Sequence, residues 1–294
     1  VIKPISVALV PGSEPENDAP DWLAAVSYGI GDQVVRAGAI YVSTIAGNLA
    51  RDPLLEVQEL EGVRWLYRSA TNARKFLDGS LSTSTVGVSP LVVEVQANAR
   101  FNAFALFDLV GAETVIEVID GANAREVARI KTGVEPVNNW LSWLKSTFNK
   151  TGRRFVVPDV AGSQGSTIRI TITGDAPAIG EAVVGRSVNI GKTLMNEKTS
   201  ARRKTFTSVV TNLFGITTVT KRAIARDVTY AVHAKRDGFE AIGRFLDDVD
   251  GVKVVTYANL DRGEFINFGF ITDYELAGDL PNDFVFEITV QGVS

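Results

Sequence analysis

The stretch FNAFALFDLVGAETVIEVID, residues 101–120, decides the fold. Its two halves, FNAFALFDLV (101–110) and ETVIEVID (113–120), alternate apolar and polar residues with the period of two that turns one face of a strand toward a core. Gly111-Ala112 between them reads as a turn, and Asp120-Gly121-Ala122-Asn123 closes the second half with another. Outward from this pair, the same pattern recurs in LVVEV (91–95) and STIRITITG (166–174). The spacing predicts an antiparallel β-sandwich with a jelly-roll-like path over residues 73–186. One segment breaks the pattern. In VNNWLSWLKSTFNK (137–150), Trp140 and Trp143 stand three apart beside Leu144, which fits one or two turns of helix or a long aromatic loop.

Beyond GEAVVG (180–185) the chain becomes more charged, and residues 187–294 read as an α+β domain with one helix packed on a sheet. TFTSVVT (205–211), a turn at 212–215 and ITTVTKRAIARDVTYAVHA (216–234) predict a long hairpin. Asp237 and Glu240 have the spacing of a capping box. Phe239, Ile242, Phe245, Leu246 and Val249 then share one helical face, and Gly251 marks the stop. Strands follow at 252–258, 264–274 and 283–291, the last with Phe284, Phe286, Ile288 and Val290 on one side.

Upstream, residues 1–20 read as a strand at 5–10 and a polar connector. Residues 21–72 form a small aromatic β module, in which Trp22, Tyr28, Tyr41, Trp65 and Tyr67 alternate with Gly29, Gly31, Gly38, Gly47 and Gly62. Its clearest strands lie at 32–35 and 39–43, and Arg51-Asp52-Pro53 is a turn. The rings are either a ligand platform or the core of a module too small to have another. Trp22, Tyr41 and Trp65 are the residues to test for glycan contact.

Composition excludes several function classes. At 294 residues the chain is long enough for two or three domains, and 45% apolar with 22% charged residues is ordinary globular usage. A net charge of −4 argues against a general nucleic-acid binder. With no cysteine, disulfides, thiolate metal sites and thiol nucleophiles are excluded. Pro4 and Pro11 interrupt the apolar start, no charged leader precedes it, and no run of about 18 apolar residues occurs, so the expectation is a soluble protein without membrane insertion.

His233 is the only histidine, so a Ser-His-Asp triad must run through it and histidine zinc sites cannot be assembled. It falls on a predicted strand with no nucleophile elbow, which points to a structural or surface role. Asp247-Asp248-Val249-Asp250-Gly251 resembles part of a calcium loop, but aligning Gly251 with the loop glycine places Leu246 and Tyr257 where carboxylates belong. Paired carboxylates for glycoside hydrolysis are recognised by separation in space, and Glu94, Asp108, Glu117 and Asp120 remain candidates of that kind. No phosphate-binding glycine loop is present. The expectation is a non-enzyme without catalytic residues, metal or cofactor. Arg202, Arg203, Lys204, Lys221, Arg222 and Arg226, with flanking lysines, read either as a solvated hairpin face or as a surface that meets an acidic partner.

The aromatic module carries a family resemblance. Trp22, then Tyr28-Gly29-Ile30-Gly31-Asp32-Gln33-Val34, then Gly38-Ala39-Ile40-Tyr41, the polar loop 48–53 and Trp65 resemble the small chitin-binding type carbohydrate modules, with LLEVQELEGV (54–63) in place of their short polar linker. The order of the whole chain, with VNIGKTLMNEKTSARRKTFTSVVTNLFGITTVTKRAIAR (188–226) and FGFITDYELAGDLPNDFVFEITVQG (268–292), is similar to virion proteins of tailed bacteriophages, and 187–294 resembles the ring-forming tail-tube and distal-tail fold. That resemblance implies a structural component of the tail tip, baseplate or neck, assembled in the host cytoplasm into the virion. Its partners would be other copies of itself and neighbouring tail or neck proteins. The module resemblance implies a second function, recognition of host surface glycan.

Overall fold

The computed structural model describes residues 1–10, 14–58, 60–131, 140, 154–195, 198–211, 213–215, 217–220, 224–258, 260, 263–276 and 283–293. Trp143, Leu144, Lys221 and Arg222 lie outside the described residues. The fold is mainly β, and its strands pair antiparallel.

Two sheets make the predicted sandwich. One has five strands in the order Asn123–Lys131, Glu113–Asp120, Thr167–Thr173, Leu91–Ala97 and Val7–Leu9. Facing it are Arg154–Val157, Ala103–Phe107 and Glu181–Ser187. Alternate residues from both sheets, including Val93, Val95, Phe104, Leu106, Ile116, Val118, Ile168 and Ile170, fill the space between them. The chain crosses from sheet to sheet at nearly every step, and Asp120 and Asn123 close a tight hairpin as expected.

The strand Ala103–Phe107 departs from its predicted half-burial, because all five residues are buried. The cause is the length of its sheet, which has ten strands and curls on itself. Phe104 and Leu106 face the sandwich core, while Ala103, Ala105 and Phe107 face a second core with Ile2, Val255, Ile266 and Phe268. Phe107 and Phe268 meet with centroids 5.6 Å apart. Alanines at 103 and 105 leave room for that second layer.

The N-terminal strand predicted at 5–10 is shorter, at 7–9, and a separate strand that the sequence pattern does not predict precedes it at 2–4. Ile2–Pro4 belongs to the curled sheet and Val7–Leu9 to the five-stranded one. Ile2 is paired with Ser187 on one side and Val255 on the other, so one continuous sheet runs through the sequence boundary at 186/187.

The rest of the curled sheet comprises Val254–Tyr257, Ile266–Leu276, Asp283–Gly292 and Ile224–Lys235, with Lys192–Thr193 and Ser200–Thr205 both paired to the last of these. Helix α1 (Phe239–Asp248) lies on it, burying Ile242 and Leu246 against Val228, Tyr230, Phe284 and Phe286, with Val249 just beyond the helix. The expected capping box is absent. Gly238 is the N-cap without a side-chain bond, Asp237 sits in the preceding 3-10 turn, and Glu240 pairs along the helix with Arg244 at 2.7 Å. At the other end, Lys3 binds Asp248, and the Tyr274 hydroxyl donates to Asp247 at 2.6 Å. These contacts offset acids that face the negative end of the helix dipole.

Candidate functional site

Three places were singled out by sequence or emerge from the structure: the aromatic module, a cleft beside it, and the hairpin arm.

In the module, Gln33–Arg36, Ala39–Ser43 and Trp65–Ala70 form a three-stranded sheet, and Ser27–Tyr28 pairs with Asn48–Leu49. Ala37 and Gly38 join the first two strands at φ 51° and 77°, the paired positive angles of a tight hairpin turn. Trp65 has no exposed surface. Its indole N–H donates to Arg51 O at 2.9 Å, and its ring meets Tyr28 edge-on at 5.1 Å. Tyr28, Val34 and Tyr41 complete the core, with Trp22 packed against it. The Arg36 guanidinium covers the Trp22 ring at 5.0 Å from the centroid and is itself fixed by Asp52 at 2.8 Å. Of the three rings chosen from sequence, Trp65 and Tyr41 are core and Trp22 is half-buried. Tyr67, which the sequence pattern leaves without a role, is 45% exposed and stands edge-on to Tyr41.

The cleft opens between the module and the sandwich. It encloses about 1060 Å³ and is lined by Tyr67, Arg74, Asp78, Glu181 and Lys253 among apolar residues that include Val7 and Leu77. Glu181 is 4% exposed. It accepts the Gly79 N–H at 3.0 Å while Lys253 donates to the Gly79 carbonyl at 2.8 Å, so both backbone polar groups of one residue are held. Gly79 sits at φ 73°, and a Cβ there would stand 2.6 Å from the Lys253 nitrogen. Burial, reinforced by the Asp78 charge, pushes the Glu181 carboxyl up to about 9, against the pull of the Gly79 N–H and Lys253. Near neutrality it is therefore a neutral acid that can donate as well as accept. The sequence signal for it was a lone carboxyl heading the apolar run EAVVG.

The arm consists of Ser200–Thr205 paired with Ile224–Lys235, continued by Ser208–Thr211 paired with Thr217–Thr220. Every residue of Ser200–Thr205 and Thr217–Thr220 is exposed. At its outer end Val209 and Val219 share one face, Val210 lies on the other and Leu213 sits in the turn, all of them exposed. Arg202, Arg203 and Lys204 flank its base, and Arg226 lies opposite Arg203 in the register. Four of the six basic interface candidates thus lie at the base of the arm, Arg203 and Arg226 on one face and Arg202 and Lys204 on the other.

Of the other candidates, Glu94 and Glu117 flank one arginine and the rest are dispersed. His233 is half-exposed, opposite Lys192 and Val285, with Asp283 3.7 Å away. Glu94 and Glu117 both approach Arg169, Asp120 accepts from Ser163 and Ser166, and Asp108 stands at φ 50°. Among the described residues no group of three or more acidic or histidine side chains is placed to hold a metal, and no helix is long and apolar enough to cross a membrane.

No family model and no curated protein matches the chain. Among solved structures it is similar to a mutant of chitosan-binding module 1 from a chitosanase/glucanase of Paenibacillus sp. IK-5, at 18% identity and TM-score 0.29, over 38% of this chain and 83% of that one. It is also similar to the C-terminal domain of a chitobiase from Bacteroides fragilis, at 18% identity and TM-score 0.27, over 40% and 82%. Scores this low carry no argument about function.

Proposed function

We propose that this chain is a non-enzymatic assembly protein that associates with copies of itself through the hairpin arm. The observation that carries the reading is the exposed apolar end of the arm. A two-stranded ribbon is marginally stable alone, and Val209, Val210, Leu213 and Val219 gain a dry environment when a neighbouring copy covers them. A contact between unlike surfaces, arm on body, closes into a ring when the rotation permits. The finer reading is a virion structural protein of a tailed bacteriophage, in the tail tip, baseplate or neck, as a ring or as a peripheral attachment that docks other tail or fibre proteins. The layout of the sequence supports it. Replacing Val209 and Leu213 together with aspartate is expected to abolish self-association measured by light scattering while leaving the circular dichroism spectrum of the folded chain unchanged, because exposed substitutions cost little within one copy. An unchanged multimer would remove the arm from the interface.

A second reading, recognition of cell-surface glycan, is supported by the partly exposed ring of Tyr67, which lines a mainly apolar cleft that also carries Arg74, Asp78, Glu181 and Lys253. In it Trp22 and Tyr67 are the contact rings, with Tyr41 and Trp65 beneath them. Retention on immobilised chitosan is expected to fall at least tenfold in Tyr67→Ala with the fold intact. Equal retention of parent and variant would reject this site.

A further inference from the structure

Three arginines meet at one end of the strand Ile224–Lys235. Arg203 is directly opposite Arg226 in the antiparallel register, so the two side chains project to the same side at cross-strand spacing, where like charges repel. The next pair, on the other side, is balanced, with Arg202 opposite Asp227. Arg226 is half-buried, and its Nη1 donates to Gly263 O at 3.4 Å. Arg154, also half-buried, donates Nη1 at 2.7 Å to the carbonyl of Ile266, the residue that follows the 3-10 turn Gly263–Phe265. Between them, the Tyr230 hydroxyl donates to Phe265 O at 3.0 Å. One short turn and the residue after it therefore gather two guanidiniums, and a third stands beside Arg226 on the neighbouring strand.

The surrounding charges do not balance them. Among the described residues, none of Arg154, Arg203 and Arg226 makes an ion pair. Asp108 acts on Arg154 only through space, and both burial and the Arg226 charge lower the Arg154 pKa. Holding like charges together away from water is unfavourable unless an anion lies between them. A guanidinium presents a planar fork of donors that matches the oxygens of a phosphate or carboxylate, and Arg154 and Arg226 each direct one nitrogen at a backbone carbonyl, Ile266 O and Gly263 O.

We propose that Arg154 and Arg226, with Arg203 closing from the exposed side, bind an oxyanion of phosphate or carboxylate geometry. The bound anion neutralises the cluster and ties together the edge strand Arg154–Val157, the turn Gly263–Phe265 and the base of the arm. The site involves none of the apolar residues at the arm's end, so it stands or falls independently of self-association.

The test is calorimetric titration of inorganic phosphate into the full chain at ionic strength held constant with sodium chloride, with melting curves in both salts. Saturable binding of one phosphate per chain is expected, together with a higher melting temperature in phosphate than in chloride. Arg226→Gln is expected to weaken binding at least tenfold and to remove the phosphate-dependent rise. In chloride the variant should melt no lower than the parent, since a repulsion has been relieved; a merely structural arginine would lower the melting temperature in both salts. Arg202→Gln, on the balanced side, should bind as the parent does. Arg154→Gln repeats the test from the other strand if Arg226→Gln does not fold. Citrate in place of phosphate distinguishes the two anion classes, and saturable binding of either sustains the site. Absence of saturable binding by both anions, or an equal phosphate effect in parent and Arg226→Gln, would overturn it.

Discussion

Trp65→Ala is expected to cost about 3–5 kcal/mol in a denaturant titration, the range for removing a fully buried aromatic side chain. Trp65 has no exposed surface, holds Tyr28 edge-on, and donates its indole N–H to Arg51 O, so its loss opens a cavity and leaves that carbonyl without its partner. The module has only a handful of other large core residues, among them Tyr28, Val34 and Tyr41, with which to close the gap. The damage should concentrate there, as rapid proteolysis within residues 21–72 ahead of the sandwich. A loss below about 1 kcal/mol would show that Trp65 is not the module's core.

Glu181→Gln is expected to stabilise the protein at alkaline pH. The carboxyl titrates near 9 in the fold and near 4.5 in the unfolded chain. Between those values the native state holds a proton that the unfolded state has released, so stability falls as pH rises, by at most about 1.4 kcal/mol per unit. Below pH 4.5 both states are protonated and the effect vanishes. Glutamine reproduces the neutral acid in shape, accepts the Gly79 N–H, and cannot ionise. The stability difference, variant minus parent, should therefore grow from pH 5 to pH 9 and reach on the order of 1–3 kcal/mol at pH 8. A variant less stable than the parent at pH 8, or a difference that does not change with pH, would show that the carboxylate form stabilises the fold.

The elements of this fold were legible where one local rule acts. The alternation of Glu113–Asp120 and Asp283–Gly292, the apolar face of α1 and the short strands of the module follow from periodicity and turn residues. What periodicity cannot encode is which faces a sheet turns toward itself. Ala103–Phe107 is buried on both sides only because its sheet curls to Phe268, more than 150 residues along the chain. The two short N-terminal strands have a similar cause, since Ile2 and Val7 answer to different sheets. Side-chain chemistry was read less well than strands. The missing capping box reflects a helix that starts one residue later than Asp237 as N-cap would require. Glu181 and Arg154 acquire their properties from Gly79, Lys253 and Arg226, all remote in sequence. The aromatic spacing does not distinguish the buried Trp65 from the exposed Tyr67, because both lie on one strand at alternate positions within a sheet whose edge is covered by Gln58.

If the arm is a contact between copies, sedimentation velocity of the unmodified chain across the micromolar range will show it. A single fast-sedimenting species whose mass is an integral multiple of one chain is the predicted result, and a monodisperse monomer at every concentration would contradict it.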